Sequence, residues 1–306
     1  MIRVTLDFLR TKLPTAHWQL PFLQKRKQPF QQPPVSSLQP FSTLLKPPHT
    51  REEEITFGKG FSIAIKIHLA HLIERLNKKT NRIVQAGPFQ GMKLTTHPEQ
   101  YSLRNEYHYG WDAHQLLGCL EEELHGSIEQ AIQRAPEVVV NVGCGEGYYA
   151  IGLAKRLPHA EIYAFDSSKT ARDLCEIAAK ENDVADRVHI KGTCDEKDLL
   201  KLARNGKKMF LLIDCEGEEL KLLTPQCVEA LRHADVIVEC HDFKDPLITP
   251  ILLQLFMQHY RVEMIKEGPR NPSAIPLLQH FNSFDRWLCM CEFRPSVMWW
   301  LVCWAK

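Results

Sequence analysis

The sequence predicts an α/β fold: a doubly wound, mostly parallel seven-stranded sheet with helices on both faces, preceded by a helical N-terminal extension. Three observations carry this. From Pro136 onward, short apolar runs alternate with amphipathic stretches. The runs are nearly continuous rather than alternating, as in a parallel sheet buried on both faces. The first run, Val138 to Val142, leads straight into a glycine loop and then a helical stretch.

In chain order, residues 1–57 read as a flexible basic leader. They are crowded with Gln and with Pro29, Pro33, Pro34, Pro40, Pro47 and Pro48. Proline removes backbone donors and breaks helices, so such a segment builds no core. Residues 58–134 read as an extension of helices and a hairpin. Ile65, Leu69, Leu72 and Leu76 recur at helical spacing and predict a helix over 61–77. Gly87-Pro88-Phe89 and Gly91-Met92 mark a short hairpin or extended turn. A second helix is expected over 114–134, its Glu121, Glu122 and Glu123 facing water.

Residues 135–306 read as one Rossmann-like domain. Strands are expected over 138–142, 161–166, 187–190, 209–214, 236–239, 261–266 and 298–303. Helices are expected over 148–156, 169–182, 196–205, 218–230 and 248–258. No internal repeat is visible.

The bulk numbers narrow the function classes. The chain has 306 residues and a net charge of +1. Its first 50 residues hold seven Lys and Arg against Asp7, so the remainder carries about −5. A long nucleic-acid track is therefore not expected on the folded part. The ten cysteines include no CxxC pair, and several lie in apolar runs. They read as reduced thiols of a cytoplasmic protein. No apolar run reaches the ~20 residues that a membrane span takes.

The strongest motif is Gly143-Cys144-Gly145-Glu146-Gly147, directly after the first strand. Glycine lets the backbone turn sharply and lets a ligand approach where a Cβ would collide. A dinucleotide fingerprint is GxGxxG, but Tyr148 stands where its third glycine belongs. The GxGxG spacing favours S-adenosylmethionine, with Gly143, Gly145 and Gly147 around it. Asp166, ending the second strand, can accept both ribose hydroxyl protons or cap the next helix. Thr193 and Asp195, after the third strand, stand where an adenine would lie, and Asp195 equally suits an N-cap.

Asn141-Val142-Gly143 with Gly147-Tyr148-Tyr149, Tyr163-Ala164-Phe165-Asp166, Ile213-Asp214-Cys215-Glu216-Gly217-Glu218-Glu219 and Val238-Glu239-Cys240-His241 resemble the FkbM-type methyltransferases. These belong to the class I, Rossmann-like group. The resemblance spans roughly residues 115–304. The family usually has Asp where this chain has Asn141, a position that the resemblance places at the cofactor's methionine amino group. The resemblance implies O-methylation of a small-molecule or sugar hydroxyl, with S-adenosylmethionine as cofactor.

Methyl transfer needs alignment of donor and acceptor and removal of the acceptor's proton. Candidate catalytic groups sit at strand ends: His241 as base, with Asp214 and Glu216, and Asp214 also towards the cofactor. His241 is preferred because an imidazole titrates near working pH. Glu218 and Glu219 are expected on a solvated helix start. No metal is expected in the main reading; a divalent ion on Asp214, Glu239, His241 and Asp242 is the variant. Trp299, Trp300, Trp304 and Phe293 are either acceptor-pocket walls or core. An NAD-dependent oxidoreductase and a non-catalytic Rossmann-like binding module are the alternatives.

Overall fold

The computed structural model describes residues 51–95 and 113–306, with side chains from residue 64 onward. The expected leader therefore lies outside the described residues up to position 50. By its internal contacts the chain divides into Met1–Phe57 and Gly58–Lys306, and the second unit carries the sheet. Among the described residues, no helix is long and apolar enough to cross a membrane.

The elements run α1 (Arg51–Thr80), α2 (Ala113–Leu117), α3 (His125–Gln133), β1 (Val138–Val142), α4 (Tyr148–Arg156), β2 (Glu161–Phe165), α5 (Lys169–Glu181) and β3 (Val188–Lys191). Then follow α6 (Glu196–Ala203), β4 (Met209–Ile213), α7 (Glu219–Leu222), α8 (Pro225–Ala230) and β5 (Asp235–Cys240). The chain ends with α9 (Ile248–Phe256), β6 (Tyr260–Lys266), α10 (Ser283–Cys289) and β7 (Trp299–Ala305).

The seven strands form one sheet in the order β3-β2-β1-β4-β5-β7-β6. Strands β1 to β5 pair in parallel, and β7 runs antiparallel to both β5 and β6. An all-parallel dinucleotide-binding sheet runs 3-2-1-4-5-6. Here an antiparallel seventh strand is inserted between β5 and β6. The order reverses between β1 and β4, so a crevice opens outside their carboxyl ends, where such folds bind ligands.

The apolar runs explain the sheet. Every residue of β1, β4 and β5 is buried. Along β1, Val139 joins one core layer, with Leu72, Leu76, Leu116, Ile151 and Trp300. Val138 and Val140 join the other, with Phe165, Leu211, Leu252 and Phe256. Burying each such side chain stabilises the fold by about 1.5–3 kcal/mol. Leu69, Leu72 and Leu76 of α1 bury as their spacing predicts.

Three expectations need correction. The helix predicted over 114–134 is broken into α2, a 3-10 turn at Glu122–Leu124, and α3. Gly118 (φ +75°) breaks it: a Cβ there would sit 2.0 Å from the Ala86 carbonyl oxygen. The helix predicted over 218–230 is likewise two, because Thr224 accepts from Cys227 N–H and Pro225 starts a new helix. The first helix runs from Arg51 to Thr80, longer than its apolar spacing shows. The expected turn after it closes through an antiparallel bridge between Ile83 and Lys93.

Candidate active site at the β1–β4 crevice

The glycine loop is shaped by two kinds of constraint. At Gly143 (φ +76°) a Cβ would lie 1.6 Å from the Asp214 carbonyl oxygen, so only glycine lets this turn rest on the end of β4. At Gly145 (φ +52°) nothing lies within 4 Å of where a Cβ would be. Its missing side chain leaves space to the crevice, not to a protein neighbour. Gly147 opens α4 at φ +100°, packed against Cys175 Sγ.

Asp166, at the end of β2, ties the loop down. Gly145 N–H donates to its Oδ2 at 2.9 Å and Ser168 N–H to its Oδ1 at 2.8 Å. Each oxygen keeps acceptor capacity for a further donor. Ser168 is the actual N-cap of α5. Gly143, Gly145, Asp166, Thr193, Asp214 and Glu216 line one cavity of about 700 Å³. That is the size of an ordinary small-molecule site.

Other expected cofactor residues take up different positions. Asp195 caps α6 in a reciprocal capping box with Asp198. Asn141 is buried in β1; its Nδ2 donates to the Leu212 carbonyl at 3.4 Å, and its Oδ1 has no partner among the described residues.

Residues 214–219 build the second wall. Asp214 N–H continues the β1–β4 ladder to the Val142 carbonyl at 2.9 Å. Glu216 (φ +57°) and Gly217 (φ +98°) then turn the chain back. Lys244 Nζ holds that turn, donating to the carbonyl and Oε2 of Glu216, both at 2.7 Å. Glu219 is fully buried, which corrects the expected solvated helix start. Its Oε1 accepts from Gly217 N–H at 3.1 Å and from His241 Nδ1 at 2.5 Å. His241, just past β5, is also buried, and its Nε2 lies 3.4 Å from Asp214 Oδ1 and 3.8 Å from Glu216 Oε2.

The electrostatics of this pair are consistent. Burial alone would pull the His241 ring down, but the hydrogen bond and charge of Glu219, with Glu239 and Glu216, hold it above its ordinary value. Burial likewise opposes the Glu219 carboxylate, but His241 and backbone donors hold it below the ordinary range. Both shifts favour imidazolium facing carboxylate. About a third of the Asp214 side chain opens on the cavity, yet its Oδ1 is shut off from solvent. Burial, then the charges of Glu121 and Glu216, push Asp214 well above the usual carboxylate range.

Behind these groups lies a buried ion-pair network that sequence spacing did not reveal. Arg294 donates to Glu239 Oε1, to Glu121 Oε1 at 2.9 Å and to Glu292 Oε2 at 2.9 Å. Arg270 pairs with Glu292 and, at 2.7 Å, with Glu123. Tyr149 O–H donates to Glu121 Oε2 at 2.5 Å. Glu121 and Glu123 thus face inward, which corrects their expected exposure; only Glu122 is exposed. Glu239 is engaged by Arg294, and Asp242 accepts from Thr249 N–H and O–H at 2.9 and 2.6 Å. Neither joins the candidate metal set expected for them. Trp300 and Trp304 are core, and Phe293 lines a second cavity of about 530 Å³.

Residues 124–202 match the family model described as "Methyltransferase small domain". No curated protein matches the sequence. Among solved structures, cofactor-bound Rv0187 from MTB is 14% identical at a TM-score of 0.43, over 62% of this chain and 83% of that one. A precorrin-6Y C5,15-methyltransferase from Geobacter metallireducens is 12% identical at 0.39, over 60% and 88%. An O-methyltransferase from Bacillus cereus in complex with SAH is 15% identical at 0.38, over 58% and 77%. The chain is thus a Rossmann-like α/β protein whose residues 124–202, with the glycine loop and Asp166 among them, match a methyltransferase domain.

Proposed function

We propose that this protein is an S-adenosylmethionine-dependent methyltransferase that acts on a hydroxyl of a small molecule or sugar. The observation that carries it is the open space at Gly145, beside Asp166, in a cavity that reaches Asp214 and Glu216. The residues fit the cofactor. The open space at Gly145 would admit the cofactor close to the backbone, Asp166 would accept from its ribose hydroxyls, and Thr193 would flank its base. Tyr148, where a dinucleotide loop has glycine, supports the same choice. When bound, S-adenosylmethionine supplies a methyl group already activated on sulfonium, so no covalent nucleophile is required.

The chain's own work is alignment and proton handling. Asp214 and Glu216 stand at the cavity wall where an acceptor would lie. His241, oriented through Nδ1 by Glu219, presents Nε2 beside both. The Asp214 carboxylate, made the stronger base by its raised pKa, receives the acceptor's proton as the new bond forms, with His241 held charged against Glu219 beside it. The resemblance of residues 214–219 to the FkbM-type block supports an oxygen acceptor.

The test is transfer of label from tritiated-methyl S-adenosylmethionine to a panel of sugars and hydroxylated small molecules. Label on oxygen, lost in Asp214→Asn, is the expected result. Label only on amines would overturn the O-methylation reading, and NAD reduction without methyl transfer would overturn the whole.

A further inference from the structure

We propose that Asp214, Glu216 and His241 form a binding site for one divalent cation with hard-ligand preference, of the Mn²⁺ or Mg²⁺ kind. The cation's part in catalysis rests on the methyltransferase reading; its binding does not.

One ligand atom from each of the three residues lies within 4.8 Å of the other two. Bonds of about 2.1 Å to a six-coordinate ion place its ligands roughly 3–4.3 Å apart, so a small inward movement closes the set. The second observation is the state of the ring nitrogen and the carboxylate oxygen that face each other. His241 is 4% exposed at its side chain, and its Nδ1 is committed to Glu219. Its Nε2 makes no hydrogen bond among the described residues, though it faces two carboxylates at 3.4 and 3.8 Å. Asp214 Oδ1, the nearer of these, is buried and also without a hydrogen bond. Asp214 Oδ1 thus faces the ring nitrogen from a buried position without a hydrogen bond, and an incoming cation would take the place of the proton on Nε2.

The arrangement behind the ring points the same way. A carboxylate on the far imidazole nitrogen fixes tautomer and orientation in metal-bound histidines. Glu219 occupies that position, and its own placement is set by Gly217 N–H. Two carboxylate oxygens and one imidazole nitrogen suit Mn²⁺ or Mg²⁺ better than a soft ion. Three protein ligands leave positions open on the cavity side, where an acceptor hydroxyl would bind and become more acidic.

Lys244 holds Glu216 in the meantime. Its ammonium lies 2.7 Å from Glu216 Oε2, so it competes with a cation for that oxygen.

The test uses the full chain stripped with chelator and titrated with Mn²⁺, reading the free-ion electron paramagnetic resonance signal. One Mn²⁺ per chain is expected, with an imidazole nitrogen coupling in the spin-echo spectrum. Glu216→Gln should weaken binding at least about tenfold, and Glu219→Gln about 10- to 100-fold. The Glu216 side chain is 70% exposed, so that variant keeps its fold. Lys244→Met should tighten binding. Absence of stoichiometric Mn²⁺, absence of the nitrogen coupling, or affinity unmoved by Glu216→Gln and Lys244→Met would overturn the site. Titrating the same samples with S-adenosylmethionine separates the two claims. Nucleotide binding without Mn²⁺ sinks only the cation site, whereas Mn²⁺ without nucleotide sinks only the methyltransferase reading.

Discussion

Glu219, buried at the start of α7, accepts from Nδ1 of His241 at 2.5 Å and so joins the loop after β4 to the end of β5. The bond fixes the ring with Nε2 turned towards Asp214 and Glu216. Breaking a buried pair by removing one partner costs about 3–5 kcal/mol. Glu219→Ala should therefore lose stability of that order in urea denaturation. A loss below about 1 kcal/mol would match an exposed pair and contradict the buried one.

Arg294 is expected to be as sensitive. It serves Glu121, Glu239 and Glu292 and stacks 4.8 Å from the Trp300 ring centroid. Arg294→Ala leaves three buried carboxylates short of a cation, again at about 3–5 kcal/mol. Arg294→Lys should recover only part, because an ammonium lacks the planar fork. Full recovery by lysine would show that charge alone matters there.

Glu292 gives the network a pH signature. Burial opposes its carboxylate, but the charges of His114, Arg294 and Arg270 outweigh that and hold it below its ordinary value of 4.5. A depressed carboxyl stabilises above its unfolded value, and that contribution is lost as pH falls through the folded one. Wild type should thus be more stable than Glu292→Gln at neutral pH, and the two curves should converge below about pH 4.5. Curves that stay parallel down to low pH would contradict the assignment.

The two loop glycines should respond differently to alanine. At Gly143 a Cβ meets the Asp214 backbone, whereas at Gly145 it meets open space. Gly145→Ala should cost only the left-handed backbone penalty, about 1–2 kcal/mol. Gly143→Ala should cost clearly more, seen as a larger drop in thermal midpoint. Equal drops would mean that the close approach of the loop to β4 is relaxed in solution.

How much of this the sequence shows depends on distance along the chain. The strands were legible because β1, β4 and β5 are buried on both faces and need unbroken apolar runs. The loop was legible because Gly143, Gly145 and Gly147 are five consecutive residues' worth of local geometry. Gly118 and Pro225 were visible but their effect was not, since each breaks a helix through a neighbour's packing or cap. Glu121 meets Arg294 across 173 positions, and no local pattern marks either. Glu219 looked like a solvated helix acid because its partner His241 is 22 residues away.

Calorimetric titration with S-adenosylmethionine, S-adenosylhomocysteine and NAD decides which cofactor the β1–β4 crevice takes. Both sulfur nucleotides should bind and NAD should not, with binding abolished by Gly145→Trp in a variant that still folds. Binding of NAD alone, or of none of the three, would contradict S-adenosylmethionine as the cofactor.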